Sequence, residues 1–357
     1  MRVLYGQGQI WIDVTDKAIK DGWVSVDGAH NDLFGDPLIG VPKMVRIEDP
    51  SLPHPLLFPE NEVVRLRLVE ASPYPERYYR VELNPHRSYG LCNQLFAIAS
   101  ALVIGSETGR AIAVKGFSPN YNSSETIDIG DVLDLDATNR ALERFRVRLV
   151  SISDLPQVTW KSSKARIIVG EEITPHQFID RARSEDDKHL DLGCTFELGI
   201  FAGSPDERYR ALHEKIMFSL QYLPDYHLPI TGDYCAVHLR LEDDMLDHIK
   251  SYRPDFDEDT YVKEAVDRYI KEIGGSKAYL ATGLTKYPNR HNWVVDKLRQ
   301  YGEVVLSQPL GRGRELDALV DLIACMNGRS FIGKGGSTFS AFLAIYHTAM
   351  GRRTINF

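Results

Sequence analysis

The chain has 357 residues, 43% apolar and 26% charged, a composition that suits packed cores and excludes disorder over most of the length. Its formal net charge of -8 argues against a nucleic-acid surface as the main function, because such surfaces show as basic domains or stripes. One core rarely grows to this length, so two or three domains are expected.

Residues 1–82 read as a small β-sandwich-like module. Ile10-Trp11-Ile12-Asp13-Val14, Trp23-Val24-Ser25-Val26, and residues 63–69 and 78–83 are β-branched or alternate between apolar and polar. Turn clusters at Asp27-Gly28, Asn31-Asp32 and Gly35-Asp36-Pro37, and a Pro-rich stretch over 50–59, separate them. Long helical patterns are absent there. From about residue 84 helices and strands alternate, the signature of α/β layers on a parallel sheet. A helix is expected over 90–105, with Leu95, Ile98, Ala99, Leu102 and Val103 at helical spacing, then strands over 111–114, 146–150 and 165–169. Residues 223–233, with Leu223-Pro224-Asp225 and Leu228-Pro229, read as a hinge. A second α/β run follows. Its expected strands are 234–240, 278–282, 303–306 and 330–333, and its expected helices are one capped by Asp259, 315–326 and 338–350. The division is therefore 1–82, 83–225 and 226–357. Two α/β halves about a hinge imply a cleft, where ligands prefer to bind.

The four cysteines, Cys92, Cys194, Cys235 and Cys325, are scattered without zinc-ligand spacing, which fits buried thiols in a reducing compartment. The first residues lack a signal-peptide pattern, and no run approaches the ~20 apolar residues of a spanning helix. Asn122-Ser123-Ser124 is a glycosylation sequon by pattern alone. A cytoplasmic protein without stable membrane insertion and without a nucleic-acid partner is expected.

Three segments could carry chemistry. In Gly90-Leu91-Cys92-Asn93-Gln94 a glycine turn feeds a helix. Asn93 is there either an N-cap or a ligand group beside the free N–H groups of the helix end. In His238-Leu239-Arg240-Leu241-Glu242-Asp243-Asp244-Met245 strand alternation puts His238 and Arg240 on one face. Arg suits a diphosphate, because its planar fork donates two parallel hydrogen bonds and keeps its charge. The competing reading is a core histidine beside an ion-paired arginine. In Phe331-Ile332-Gly333-Lys334-Gly335-Gly336-Ser337-Thr338-Phe339-Ser340 a strand, a glycine-rich turn and two hydroxyls open a helix. That is either an anion cradle or a tight turn with a cap. Asp134-Leu135-Asp136 and Asp255-Phe256-Asp257 match a metal-nucleotide pattern but read better as capping carboxylates. Gly311-Arg312-Gly313-Arg314 reads as a flexible basic turn.

Together these segments resemble the GDP-fucose fucosyltransferase superfamily, comprising protein O-fucosyltransferases, their plant relatives and bacterial α-1,2- and α-1,6-fucosyltransferases. Residues 90–94 resemble its Gly-x-Gly-Asn-Gln element, with Cys92 where a second glycine is usual. His238-Leu239-Arg240 resembles its His-x-Arg motif, and the run through Met245 is similar to the plant branch, as is Tyr279-Leu280-Ala281-Thr282-Gly283. Residues 319–342 resemble its carboxyl half. The likeness covers about 84–357. It implies a GT-B-like pair of Rossmann-like domains facing a cleft, inversion at the anomeric carbon, and no metal. It also implies no cofactor beyond GDP-fucose as donor substrate, and a glycan or peptide hydroxyl as acceptor. Carried onto this chain, Arg240 meets the donor's β-phosphate with His238 and Asn93 beside it. Asp321 lies near the nucleobase, and Ser337, Thr338 and Phe339 hold the diphosphate. Position makes Glu242 the candidate general base, with an ion pair to Arg240 as its rival role. Two alternatives stay open. One is a rhamnosyl- or other deoxyhexosyltransferase with a UDP-linked donor. The other is a non-catalytic carbohydrate-binding protein using Trp11 and Trp23.

Overall fold

The computed structural model describes residues 2–357 except 9, 21–22, 27–29, 49–54, 61, 68–76, 85–88, 121–122, 166–172, 195–200, 229, 254, 285–286 and 308. Strand β1 (Arg2–Gln7) pairs antiparallel with β2 (Ile10–Asp13) and then with β5 (Met44–Glu48), which pairs with β6 (Leu56–Pro59). Between them lie a short helix α1 (Thr15–Ala18), strands β3 (Ile19–Lys20) and β4 (Trp23–Val26), and helix α2 (His30–Phe34). Strand β4 joins β3 to β7 (Val64–Arg67) in a second antiparallel sheet. Alternation sends Val3, Tyr5, Val45 and Ile47 of the first sheet inward to meet Val24, Val26 and Val64 of the other, so both sheets share one apolar cluster. The Asp27-Gly28 turn, part of the 50–59 stretch, the Trp23 side chain, Asn122 and the strand expected over 166–169 lie outside the described residues.

The second layered unit contains β8 (Tyr78–Val81), α3 (Leu91–Thr108), β9 (Ala111–Val114), α4 (Leu135–Leu142), β10 (Leu149–Ser151), β11 (Lys161–Ser162), α5 (Pro175–Arg183), β12 (His189–Gly193) and α6 (Glu207–Met217). Its sheet is parallel throughout, in the order β10-β9-β8-β12-β11. Residues 78–82 therefore leave the front module to which the sequence pattern assigned them, because Tyr78–Val81 forms ladders with β9 and β12 at the centre of this sheet. Both Asp-x-Asp stretches serve as caps. Asp134 accepts from the N–H of Ala137 at the start of α4, and Asp257, in place of the expected Asp259, caps α8 (Glu258–Ile273).

The third unit adds β13 (Cys235–His238), α7 (Asp243–Tyr252), β14 (Ala278–Ala281), α9 (Pro288–Arg299), β15 (Val304–Leu306), α10 (Arg314–Asn327), β16 (Ser330–Gly333), α11 (Thr338–Ala349) and β17 (Arg353–Asn356). This sheet is also parallel, in the order β15-β14-β13-β16-β17, with helices on both faces. The strand order reverses between β13 and β16, which makes their carboxyl ends a topological switch point.

Helix α3 is apolar on all sides, as a helix enclosed by protein must be. Length and composition alone would let it cross a membrane, yet most of it is buried here. It packs on α5 and α6 within its own unit and on α10 and α11 across the seam. Phe96 of α3 and Phe342 of α11 meet edge to face at 5.9 Å. The seam between the two α/β units is thus one continuous apolar core. The segment expected as a hinge contains a 3-10 turn, Pro224–Tyr226, and the hydroxyl of Tyr226 donates to the carbonyl of Asp131 at 2.9 Å. Phe342→Ala should cost about 3–5 kcal/mol by the burial and cavity terms. Its denaturant unfolding should remain a single transition for both α/β units; separate transitions would show that the seam does not couple them.

Candidate functional site

The peptide following β13 is held from several sides. The hydroxyl of Tyr269 on α8 donates to the carbonyl of His238 at 3.0 Å. The hydroxyl of Thr282 donates to the carbonyl of Leu239 at 3.0 Å, and the N–H of Leu239 donates to the carbonyl of Ala281 at 3.0 Å. The guanidinium of Arg290 on α9 donates to the carbonyl of Leu241 at 3.0 Å and to the carboxylate of Asp243 at 2.6 Å, and also reaches Glu258. Glu242 is buried at the start of α7 and accepts from the N–H of Gly283 at 2.7 Å. A Cβ at Gly283 would lie 2.8 Å from that carboxylate oxygen, so the glycine permits the close approach. Arg240 is the part-exposed residue of this pinned segment, its Nε 3.8 Å from Glu242.

Val237 pairs with Ile332, so the turn after β16 begins beside the end of β13. In that turn Gly336 has a φ of +80°, a region side chains rarely adopt. Ser337 is the N-cap of α11 and makes no side-chain cap, so its hydroxyl is not spent on the helix's own N–H groups. Ser337, Thr338 and Phe339 are half-buried, and Ser340 is fully buried. The Ser340 hydroxyl accepts from the N–H of Lys334 at 3.0 Å and lies 2.8 Å from Nδ1 of His238. The ring of Phe339 lies 4.5 Å from that of His238. Burial, with the neighbouring charge of Arg240, pushes the His238 imidazole down to about 3, so it is neutral across the physiological range. The core-histidine reading holds: His238 is buried and hydrogen-bonded to Ser340. Ser340 is the residue that sequence reasoning left out of the site. Its signal is its place in the first turn of α11, on the side facing β13.

The structure brings His238, Arg240, Glu242, Ser337, Thr338 and Phe339 to the carboxyl ends of two adjacent strands. Asp321 stands apart from them on α10. It accepts from the Tyr279 hydroxyl at 2.5 Å beneath β14, and burial pushes its carboxyl up to about 6. Asn93 lies in the first turn of α3, on the other side of the seam. It is not the cap, because Gly90 holds that position. Among the described residues the buried amide oxygen of Asn93 has no hydrogen-bond partner, a costly arrangement that a ligand donor would relieve. The anion at this helix end is internal: the Glu315 carboxylate of α10 accepts from the N–H of Leu91 at 2.6 Å. Gln94 is structural, exchanging two hydrogen bonds with the backbone of Ser118 at 2.8 and 3.1 Å. The Gly-Arg-Gly-Arg turn is also a connector. The N–H of Arg314 donates to Asn120 at 2.9 Å, Arg312 pairs with Asp225 at 3.5 Å, and Gly313 takes a φ of +127° against the Pro119 carbonyl. Among the described residues, no group of three His, Cys, Asp or Glu side chains is placed to hold a metal ion.

Two parallel α/β sheets across a seam, preceded by a small antiparallel module, define a GT-B-like fold; the third unit has the Rossmann strand order, and the second departs from it in its outer strands β12 and β11. No protein-family model matches this chain, and no curated protein does. Among solved structures the fold is similar to POFUT1 in complex with GDP, at a TM-score of 0.50 and 14% identity over 80% of this chain and 99% of that one. NodZ alpha-1,6-fucosyltransferase soaked with GDP-fucose gives a TM-score of 0.45 and 13% identity over 76% of this chain and 92% of that one. An Arabidopsis thaliana FUT1 mutant in complex with GDP gives 0.45 and 10% over 76% and 69%. At these identities the likeness is one of fold.

Depressed basicity makes His238 a stability determinant with a definite sign. The unfolded chain takes up its proton near 6.5 while the folded chain does not, so this contribution is intact above pH 6.5 and declines as pH falls towards about 3. Ring resonances of His238 in an NMR titration should stay in the neutral form at pH 5. A midpoint near 6.5 would mean that the ring is not enclosed.

Proposed function

We propose that the chain is a glycosyltransferase that carries fucose from GDP-fucose to a hydroxyl of a glycan or peptide acceptor, with inversion and without a metal ion. The observation that carries this reading is that Arg240, on a hydrogen-bonded peptide after β13, and the glycine-hydroxyl turn with the uncapped start of α11, after β16, follow the two neighbouring strands at the switch point of a parallel sheet. The third unit is taken as the donor side. The second, extended back to β8, is taken as the acceptor side.

In the reaction the acceptor oxygen forms a bond to the anomeric carbon as the bond from that carbon to the β-phosphate oxygen breaks. The electron pair leaves with GDP, and the acceptor's proton passes to the departing diphosphate or to water. Negative charge grows on the departing diphosphate, and a guanidinium mounted on a held peptide stabilises it more in the transition state than in the ground state. The backbone N–H groups that open α11 add a partial positive charge. This charge does the work a divalent ion does elsewhere, so EDTA should leave turnover intact. His238, neutral and packed on Phe339, keeps the floor of the site free of a competing charge. Glu242 is assigned the positioning role. It is buried, holds the N–H of Gly283, and faces the Nε of Arg240.

In thermal-shift assays GDP should stabilise the protein more than UDP or dTDP; saturation at about 100 times Kd corresponds to about 2.7 kcal/mol. A preference for UDP would instead favour a rhamnosyl-type donor, and no response to any of them would sink the enzyme reading. Arg240→Ala should lower turnover by about 10²–10³-fold; near-native turnover would remove Arg240 from the mechanism. Glu242→Gln should keep the acidic limb of the pH–rate profile, whereas its loss would restore Glu242 as the base.

A further inference from the structure

We propose that Lys334 is a second cation of the diphosphate site, held on the face of Tyr261 while the site is empty and released to the phosphates when the donor binds. This rests on the donor-site reading above and deepens it.

Lys334 follows β16 directly. Val237 pairs with Ile332, and one residue further on, at His238 and Gly333, both strands end. Adjacent strands lie about 4.8 Å apart, so the Lys334 backbone is a near neighbour of the peptide that carries Arg240. The two residues stand just past the ends of the two strands whose order reverses, Arg240 after β13 and Lys334 after β16. The N–H of Lys334 is fixed by the same Ser340 hydroxyl that meets His238. The backbone of this residue is thus part of the site's scaffold, and its side chain is the free variable.

The Lys334 ammonium lies 5.3 Å from the ring centroid of Tyr261, and among the described residues no carboxylate pairs with it. The nearby carboxylates at the start of α8 are engaged elsewhere. Glu258 binds Arg290, while Asp257 accepts from the Thr260 hydroxyl and from the helix N–H groups. Tyr261 lies in the first turn of α8, which starts on the same side of the sheet as the carboxyl end of β13, and its ring packs on Phe256 at 5.1 Å. A half-buried ammonium held only by a ring face has a weak partner, worth much less than a phosphate oxygen. Two negative charges on a nucleoside diphosphate call for more than one cation, and Arg240 already shares its charge with Glu242 at 3.8 Å. A lysine on a flexible stem suits this task, since its compact charge can follow the β-phosphate as the leaving group gains charge.

The two partners predict opposite signs. Isothermal titration with GDP should show Lys334→Gln weakening affinity by about tenfold or more, with a shallower salt dependence, and Lys334→Arg recovering most of it. Tyr261→Leu, which removes the competing ring, should tighten GDP two- to fivefold. Guanosine, which has no phosphate, should bind all variants alike, and Lys334→Met serves as a second neutral variant if the glutamine form is unstable. Unchanged GDP affinity in Lys334→Gln while Arg240→Ala loses it would overturn this assignment and leave the donor-site reading standing. Absence of GDP binding by the unmodified protein would overturn both.

Discussion

The hydrogen-bonded pairing of β13 with β16 is the constraint on which the site depends. In a parallel sheet every strand ends at the same edge, and where the order reverses the two following peptides leave on opposite faces and open a crevice between them. Because these two strands are neighbours, residues about a hundred positions apart meet: His238 touches Ser340 and Phe339. The carbonyls of His238, Leu239 and Leu241 are each taken by a different neighbouring element. A cation mounted on such a peptide does not have to reorganise when a charge appears in front of it, which is the condition for electrostatic catalysis.

The seam between the α/β units is the second constraint. Helix α3 contributes apolar side chains in both directions, so the two units share a core and do not merely touch. At its amino end the Glu315 carboxylate of one unit satisfies a helix N–H of the other. That contact fixes where Asn93 stands relative to α10, and it also explains why this helix end is not itself an anion site. The partial positive charge there is already matched by a carboxylate from inside the protein.

A chain with a net charge of -8 can still build a locally cationic crevice. In the donor-site proposal Arg240 and Lys334 supply it, while Arg110, among the most buried side chains, spends its charge on backbone carbonyls, and Arg290 on a carbonyl and the carboxylates of Asp243 and Glu258. Buried titratable groups were adjusted by the same enclosure. His238 lost its basicity and Asp321 became a weaker acid, each chiefly because burial penalises the charged form. Net charge therefore constrains partners at long range and says little about a site a few residues wide.

Local pattern determined much of this protein. Alternation gave the paired strands of the front module, and the apolar runs gave α3, β9, β13, β14, β16 and α11 close to their observed limits, because helix and strand periods are properties of short segments. The motif residues at 238–240 and 337–340 were legible for the same reason. Only the tertiary structure decided the rest. Strand order placed 78–81 in the middle sheet and turned Glu242 inward to Gly283. It set Glu315 on α3, left Asp321 beneath β14, and put Lys334 on a tyrosine ring. Each of these depends on a partner distant in sequence, and such pairings are fixed by how the layers stack, which no short window of residues contains.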